Sequence, residues 1–247
     1  MDLYVERCGQ GEKIVFVHGS GWNTRMWYTQ RDSLRSSMEV MLVDLPGHGK
    51  SPGDGRDSVE EYADEIYGVI KRLNVGRCCV AGHSLGGAIA MSLALSHHDV
   101  VKGVVLIGTG AKLRVLPRIL EGIKKSKENT INDINTLAFS KEASSALKKD
   151  SFEEMMQCRA EVIYKDFNAC DRFDMMDSIS SLTIPALIVC GTEDSLTPPK
   201  YSHYLDKAIQ DSRLVLIEDA GHMVMMEKPE EVNRAIGEFV RGRYGCP

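Results

Sequence analysis

Three side chains in this chain have the types and settings of an acyl-transfer apparatus. Ser84 lies in Gly82-His83-Ser84-Leu85-Gly86, with an apolar run from Cys78 to Ala81 before it and a helical pattern from Ala88 to Ala94 after it. A serine at such a strand-to-helix corner is held in a strained turn with its oxygen exposed above the sheet. Small residues two positions to either side let the backbone close. The helix that follows aims its first free amides at the same point, where an oxyanion would form. A serine hydroxyl is a weak nucleophile until a base takes its proton, and an imidazole base needs a carboxylate to fix its tautomer. His222, in Gly221-His222, and Asp194, in Gly191-Thr192-Glu193-Asp194, each follow an apolar run. Glu193 and Asp219 are rival acids. Asp194 fits best, because it lies three residues past Gly191 and Pro198 ends its loop.

Such groups need a rigid frame. Ile14-Val15-Phe16-Val17 and Val40-Met41-Leu42-Val43 are continuous apolar runs, and Val100 to Ile107, Ile184 to Cys190 and Arg213 to Ile217 are mostly apolar. Runs of this kind suit strands covered on both faces, as in parallel sheets. Leu3 to Arg7 alternates weakly and reads as a further strand. Between the runs lie helical patterns: Val59, Tyr62, Ala63, Ile66, Ile70 and Leu73 behind an Asp57 or Ser58 cap, a helix around Tyr201 to Ile209, and a closing helix from about Pro229 to Arg241. This alternation predicts an α/β fold, a mostly parallel central sheet flanked by helices. Catalytic groups in such sheets gather at the carboxyl ends of strands, where Ser84, Asp194, His222 and the stretch His18-Gly19-Ser20-Gly21 all fall.

The rhythm breaks from residue 111 to residue 181, which holds no buried-strand run. Leu113, Leu116, Ile119, Leu120 and Ile123 form one amphipathic stripe there; Phe152, Met155, Met156, Arg159, Ile163 and Phe167 suggest another. Residues 111–181 are therefore expected to be an inserted helical cap on a core made of 1–110 and 182–247.

Taken together, these pieces resemble the α/β-hydrolase superfamily over nearly the whole chain. The matching motifs are His18-Gly19 after a strand, Asp44 with Pro46-Gly47-His48-Gly49 and Ser51, and the elbow around Ser84. Gly191-Thr192-Glu193-Asp194 with Pro198 also matches, as does Gly221-His222 followed by Glu227, Pro229 and Val232. The resemblance implies Ser84 as nucleophile, His222 as base, Asp194 as orienting acid, and an oxyanion hole from the amides of Ser20 and Leu85. Gly21, Trp22 and His83 are expected to line the substrate pocket. The chain is most similar to the smaller capped esterases, lactonases and carbon–carbon bond hydrolases, although the family's first strand is short or missing. A serine rather than an aspartate nucleophile sets it apart from haloalkane dehalogenases and epoxide hydrolases. Cofactor-free haloperoxidase-like enzymes and receptor-like members of the fold share the triad and stay open as alternatives.

Composition narrows the remaining classes. The 247 residues carry a net charge of −5, with 43% hydrophobic and 26% charged residues, an ordinary balance that argues against a nucleic-acid partner. No signal peptide or membrane-spanning run is apparent, so a cytoplasmic monomer or homodimer acting on a small molecule is expected. Seven cysteines, at 8, 78, 79, 158, 170, 190 and 246, show no C-x-x-C pair and are expected to be reduced thiols rather than disulfides or a zinc site. No metal or organic cofactor is implied. His18 and His48 should hold loops, Asp44 should buttress the loop after its strand, and His97, His98 and His203 should face solvent. Lys124, Lys125 and Lys127 should form a solvated face.

Overall fold

In the computed structural model, which describes residues 1–244, seven strands form one sheet in the order β1-β3-β2-β4-β5-β6-β7. The chain runs β1 (Val5–Cys8), β2 (Glu12–Val17), a 3-10 turn with α1 (Tyr28–Leu34), β3 (Met38–Val43), α2 (Val59–Arg72), β4 (Cys78–His83), α3 (Leu85–Ser96) and β5 (Val101–Ile107). Four helices follow: α4 (Pro117–Lys125), α5 (Lys127–Ala138), α6 (Ser145–Gln157) and α7 (Ala160–Arg172). The alternation then resumes with β6 (Ala186–Gly191), α8 (Pro199–Ala208), β7 (Ser212–Ile217), α9 (Val224–Glu227) and α10 (Pro229–Tyr244). Only β1 is antiparallel to its neighbour, β3; every other pairing is parallel. The sheet thus starts on a four-residue edge strand.

Side chains alternate between two apolar layers, as a strand period of two requires. Val15, Val17, Met41, Val80, Val104 and Ile188 pack with α2, α3 and α8 residues such as Ile66, Ile89 and Leu205. Ile14, Phe16, Leu42, Ala81, Val105 and Val189 pack on the other face with Trp27, Ile236 and Phe239. Because both faces are covered, the strands read as unbroken apolar runs. Ser58, not Asp57, caps α2, in a reciprocal box with Glu61, which satisfies two otherwise orphaned amides.

Strand order places the site. From β2 the chain goes one way to β3, then returns past β2 to β4. The loops leaving β2 and β4 therefore diverge and open a crevice at their carboxyl ends. Ser20 follows one strand and Ser84 the other.

The 111–181 segment departs from the sequence reading in detail. Leu113 precedes any helix, next to the Lys112–Asp174 bridge, and Leu116 is 49% exposed at the start of α4. The stripe from Phe152 to Phe167 is divided between two helices. Cys158 and Arg159 take extended backbone between α6 and α7, so residues that align on one helical wheel point in two directions. Lys124 lies over the Tyr164 ring at 3.4 Å, and Lys127 donates to Met156 O; two of the three lysines tie the segment's helices together. His97 is also not free: it stacks on Tyr67 at 3.9 Å and bonds Asp64. Cys8, Cys78, Cys79, Cys158, Cys170 and Cys190 are free thiols, and Cys246 lies outside the described residues. Among the described residues no helix is long and apolar enough to cross a membrane.

Candidate active site

Ser84 leaves β4 with φ 53° and ψ −114°, a strained region costing a non-glycine residue about 1–3 kcal/mol. The flanking glycines are demanded by contact. A Cβ on Gly82 would lie 2.0 Å from Gly86 O, and one on Gly86 2.2 Å from Val17 O. So β4, α3 and β2 meet where no methyl group fits. Ser84 N donates to Ile107 O at 2.9 Å, and Thr109 Oγ1 donates to Ser84 O at 2.8 Å. The neighbouring strand and its loop thus fix the corner from both sides.

His222 and Asp194 come together across the ends of β7 and β6. Nδ1 of His222 is 2.9 Å from Asp194 Oδ2. The same carboxylate receives Leu196 N at 2.9 Å, Thr197 N at 2.8 Å and Thr197 Oγ1 at 2.8 Å. With the Nδ1 proton directed at a carboxylate, Nε2 is left as the basic nitrogen. The rival acids are elsewhere: Glu193 accepts from Lys141 N, and Asp219 is an exposed turn residue at φ 53°. Glu227 accepts from Gly221 N at 2.9 Å and Ser140 N at 3.0 Å, bracing the His222 loop against residues 111–181.

A cavity of about 310 Å³ is lined by Ser20, Trp22, His83, Ser84 and His222 together. Leu85 opens α3 directly behind Ser84. Among the described residues neither the Ser20 nor the Leu85 amide has a protein acceptor; Leu85 is a first-turn amide of a helix, and Ser20 lies in the turn after β2. Gly21, expected in the pocket wall, stands back from it. Its amide donates to Asp166 Oδ2 at 2.9 Å, and Met155 and Ile163 cover its α-carbon. The rest of the wall is mostly apolar and comes largely from residues 111–181: Leu113, Ile119, Ile134, Ala138, Met155 and Phe167, with Leu196 and Met223 from the loops after β6 and β7.

Three buried histidines support this arrangement in different charge states. Burial, then the nearby His222, pushes His83 well below the usual imidazole range. Neutral His83 donates from Nε2 to His222 O at 3.0 Å, holding the loop without adding charge. His18 is likewise depressed, by burial first and by His48 second. Its Nε2 accepts from Leu45 N and its Nδ1 donates to Gly19 O. His48 goes the other way. Burial opposes its charge, but Asp166 outweighs burial and raises it well above the usual range. Asp44 accepts from Thr24 N and Lys50 N, so it ties the β3 loop to the segment after β2.

Residues 14–235 match the alpha/beta hydrolase family. The chain belongs to that family. A pimeloyl-[acyl-carrier protein] methyl ester esterase of Aeromonas hydrophila is 28% identical over 257 residues, covering 97% of this chain and 100% of its own. Among solved structures, a thermophilic esterase is 35% identical with a TM-score of 0.86, covering 97% of this chain and 98% of its own. A second thermophilic esterase, from Thermogutta terrifontis, is 27% identical with a TM-score of 0.88, over 97% of this chain and 93% of its own.

Sequence reasoning missed Thr197, which touches both Asp194 and His222, and two acids within residues 111–181. Glu154 accepts from Asn23 Nδ2 at 2.6 Å and pairs with Arg25. Asp166 is fully buried and bonded to Gly21, His48 and Tyr62. A signal for Asp166 was present: Val162, Ile163, Asp166, Ala169 and Cys170 form the buried stripe of α7. An acid on an apolar face requires an internal partner.

Proposed function

We propose that this alpha/beta hydrolase cleaves carboxylic esters with an apolar acyl chain by way of a Ser84 acyl-enzyme. The observation that carries the reading is the His222–Asp194 contact at 2.9 Å, on a histidine that shares its cavity with the strained Ser84. The esterase names of the similar proteins support it. In the first half-reaction His222 Nε2 takes the Ser84 proton as Oγ attacks the ester carbonyl carbon. The amides of Ser20 and Leu85 receive the oxyanion. Collapse of the tetrahedral species breaks the bond to the alkoxide, which leaves as alcohol with the proton from His222. Water, deprotonated by His222, then attacks the acyl carbon and releases the carboxylic acid and Ser84. Asp194 stays ionised and stabilises the imidazolium of each step.

The cavity supports the apolar acyl chain in this reading. Its volume is near the lower end for small-molecule sites, roughly 300–1,000 Å³. Each methylene it buries is worth about 0.8 kcal/mol, or roughly fourfold in kcat/KM, until the space is filled. The test is hydrolysis of p-nitrophenyl acetate, butyrate, hexanoate and octanoate, with lactones in parallel, by wild type and Ser84→Ala. The expected result is a rise in kcat/KM from acetate to hexanoate, loss of turnover in the variant, and labelling of Ser84 alone by an organophosphonate. Turnover retained by Ser84→Ala, or label spread over several serines, would overturn the reading.

A further inference from the structure

The turn that carries Ser20 is closed by Trp22 N donating to Gly19 O at 3.2 Å. Gly21 sits in it at φ 70°, the position where a turn of this kind calls for glycine. A short glycine turn has little stiffness of its own, yet an oxyanion donor must be held in place before the charge develops. The turn is held by its neighbours, and one of them comes from the inserted segment. Asp166 on α7 is fully buried, and its Oδ2 accepts from the Gly21 amide at 2.9 Å.

The rest of the Asp166 carboxylate is occupied in a way that makes it a fixed point. Oδ2 also receives His48 Nε2 at 2.8 Å, and Oδ1 receives the Tyr62 hydroxyl. Nδ1 of His48 faces Pro46 O at 3.1 Å. Both ring nitrogens therefore point at acceptors, and only the imidazolium has a proton for each. A buried carboxylate with a cation and two neutral donors cannot turn without leaving one of them unpaired. A residue that only docked α7 would be satisfied by His48 and Tyr62. The third hydrogen bond goes to the backbone of the turn, one residue after the Ser20 amide. Ser20 itself faces the same helix one turn further on, with Oγ 3.8 Å from Cys170 Sγ.

We infer that Asp166 is a positioning residue for the oxyanion hole, holding the Gly21 amide, and through it the Ser20 amide, in the attitude that receives the developing negative charge. The inference rests on the serine-hydrolase reading above. It also gives the inserted segment a part in the rate of the reaction as well as in the choice of substrate.

The experiment compares wild type, Asp166→Ala and Asp166→Asn on p-nitrophenyl butyrate, with inhibition by an alkyl trifluoromethyl ketone, which adds to Ser84 as an anionic tetrahedral adduct. Asp166→Ala should lower kcat about 10–100-fold, somewhat less than outright loss of an oxyanion donor. KM should stay within about threefold, because Asp166 does not line the cavity. Ki for the ketone should rise by about the factor lost from kcat. Asn keeps an oxygen that can face Gly21 but not the charge that pairs with His48. Asp166→Asn should therefore recover kcat to within about fivefold of wild type while remaining as thermally weakened as the alanine variant. A purely structural role would link activity to stability and leave both variants alike. If the alanine variant does not fold, Asp166→Leu fills the space without an acceptor and carries the same expectation. The inference is overturned if kcat and Ki of the acceptor-free variant stay within threefold of wild type, or if the asparagine variant is as impaired as it is. A Ser84→Ala control separates the two readings: turnover without Ser84 removes both, whereas a Ser84-dependent enzyme indifferent to Asp166 removes only this one.

Discussion

At the strand ends the backbone places the groups proposed to react, while residues 111–181 meet the site mainly through side chains. Ser84 is placed by a corner too tight for a methyl group, and Asp194 by a loop whose own amides, at Leu196 and Thr197, grip its carboxylate. The helices of residues 111–181 do not form those corners, although the chain at the end of α5 touches the loops beside them, with Ala138 O accepting from Met223 N, Ser140 N donating to Glu227 and Lys141 N donating to Glu193. Otherwise these helices act through Asp166 on Gly21, Glu154 on Asn23 and a set of apolar side chains lining the cavity. The difference separates two tasks. Short-range constraints give the rigidity that covalent chemistry needs. Residues 111–181 supply most of the cavity wall as side chains, away from the corners themselves.

The largest effects should come from the strand ends. Asp194→Asn keeps the shape but favours the wrong imidazole tautomer and should lower kcat by about 10²–10⁴. Glu193→Gln and Asp219→Asn should cost about tenfold or less. A crippling Asp219→Asn beside a mild Asp194→Asn would reverse the assignment of the acid. On the other side of the comparison, Ile134→Trp narrows a cavity wall supplied by α5. It should reduce kcat/KM for octanoate about 10–100-fold while acetate changes by less than about threefold, since only the long chain meets the added bulk. Equal losses on both esters would deny residues 111–181 the part in selectivity proposed for them.

Smaller effects should refine the picture. Thr197→Val removes a hydroxyl that donates to Asp194 Oδ2 at 2.8 Å, and kcat should fall by about five- to tenfold, the worth of one supporting hydrogen bond. The smallest expected effect is a pH dependence of stability at the joint between the two regions. His48 is raised well above 6.5 when folded. The stability it contributes is complete below that pH and is lost as the pH rises through the folded value. His18 and His83 are lowered, so they take stability away as the pH falls below 6.5, where only the unfolded chain accepts their protons. Between pH 6.5 and about 8.5 the melting temperature of wild type should drop by about 2–4 °C, and His48→Gln should flatten that slope. A slope unchanged in the variant would show that His48 does not carry the charge.

Much of the frame was legible because its signals are local. Apolar runs marked the buried strands, a cap at Asp57 or Ser58 marked a helix start, and the spacing of Gly82, Ser84 and Gly86 marked the corner. Each depends on residues within a few positions of one another, where a period or a turn type leaves a direct imprint. The break between α6 and α7 was not legible, since one stripe of apolar residues fits both a single helix and two. Asp166 shows the limit most clearly. The stripe on α7 places an acid on a buried face, and that much was in the sequence. Its partners lie 145, 118 and 104 residues away, at Gly21, His48 and Tyr62. No local spacing encodes such distances. They follow only once the sheet order has opened its crevice between β2 and β4 and α7 has packed beside it, because hydrogen bonds act over about 3 Å whatever the separation along the chain.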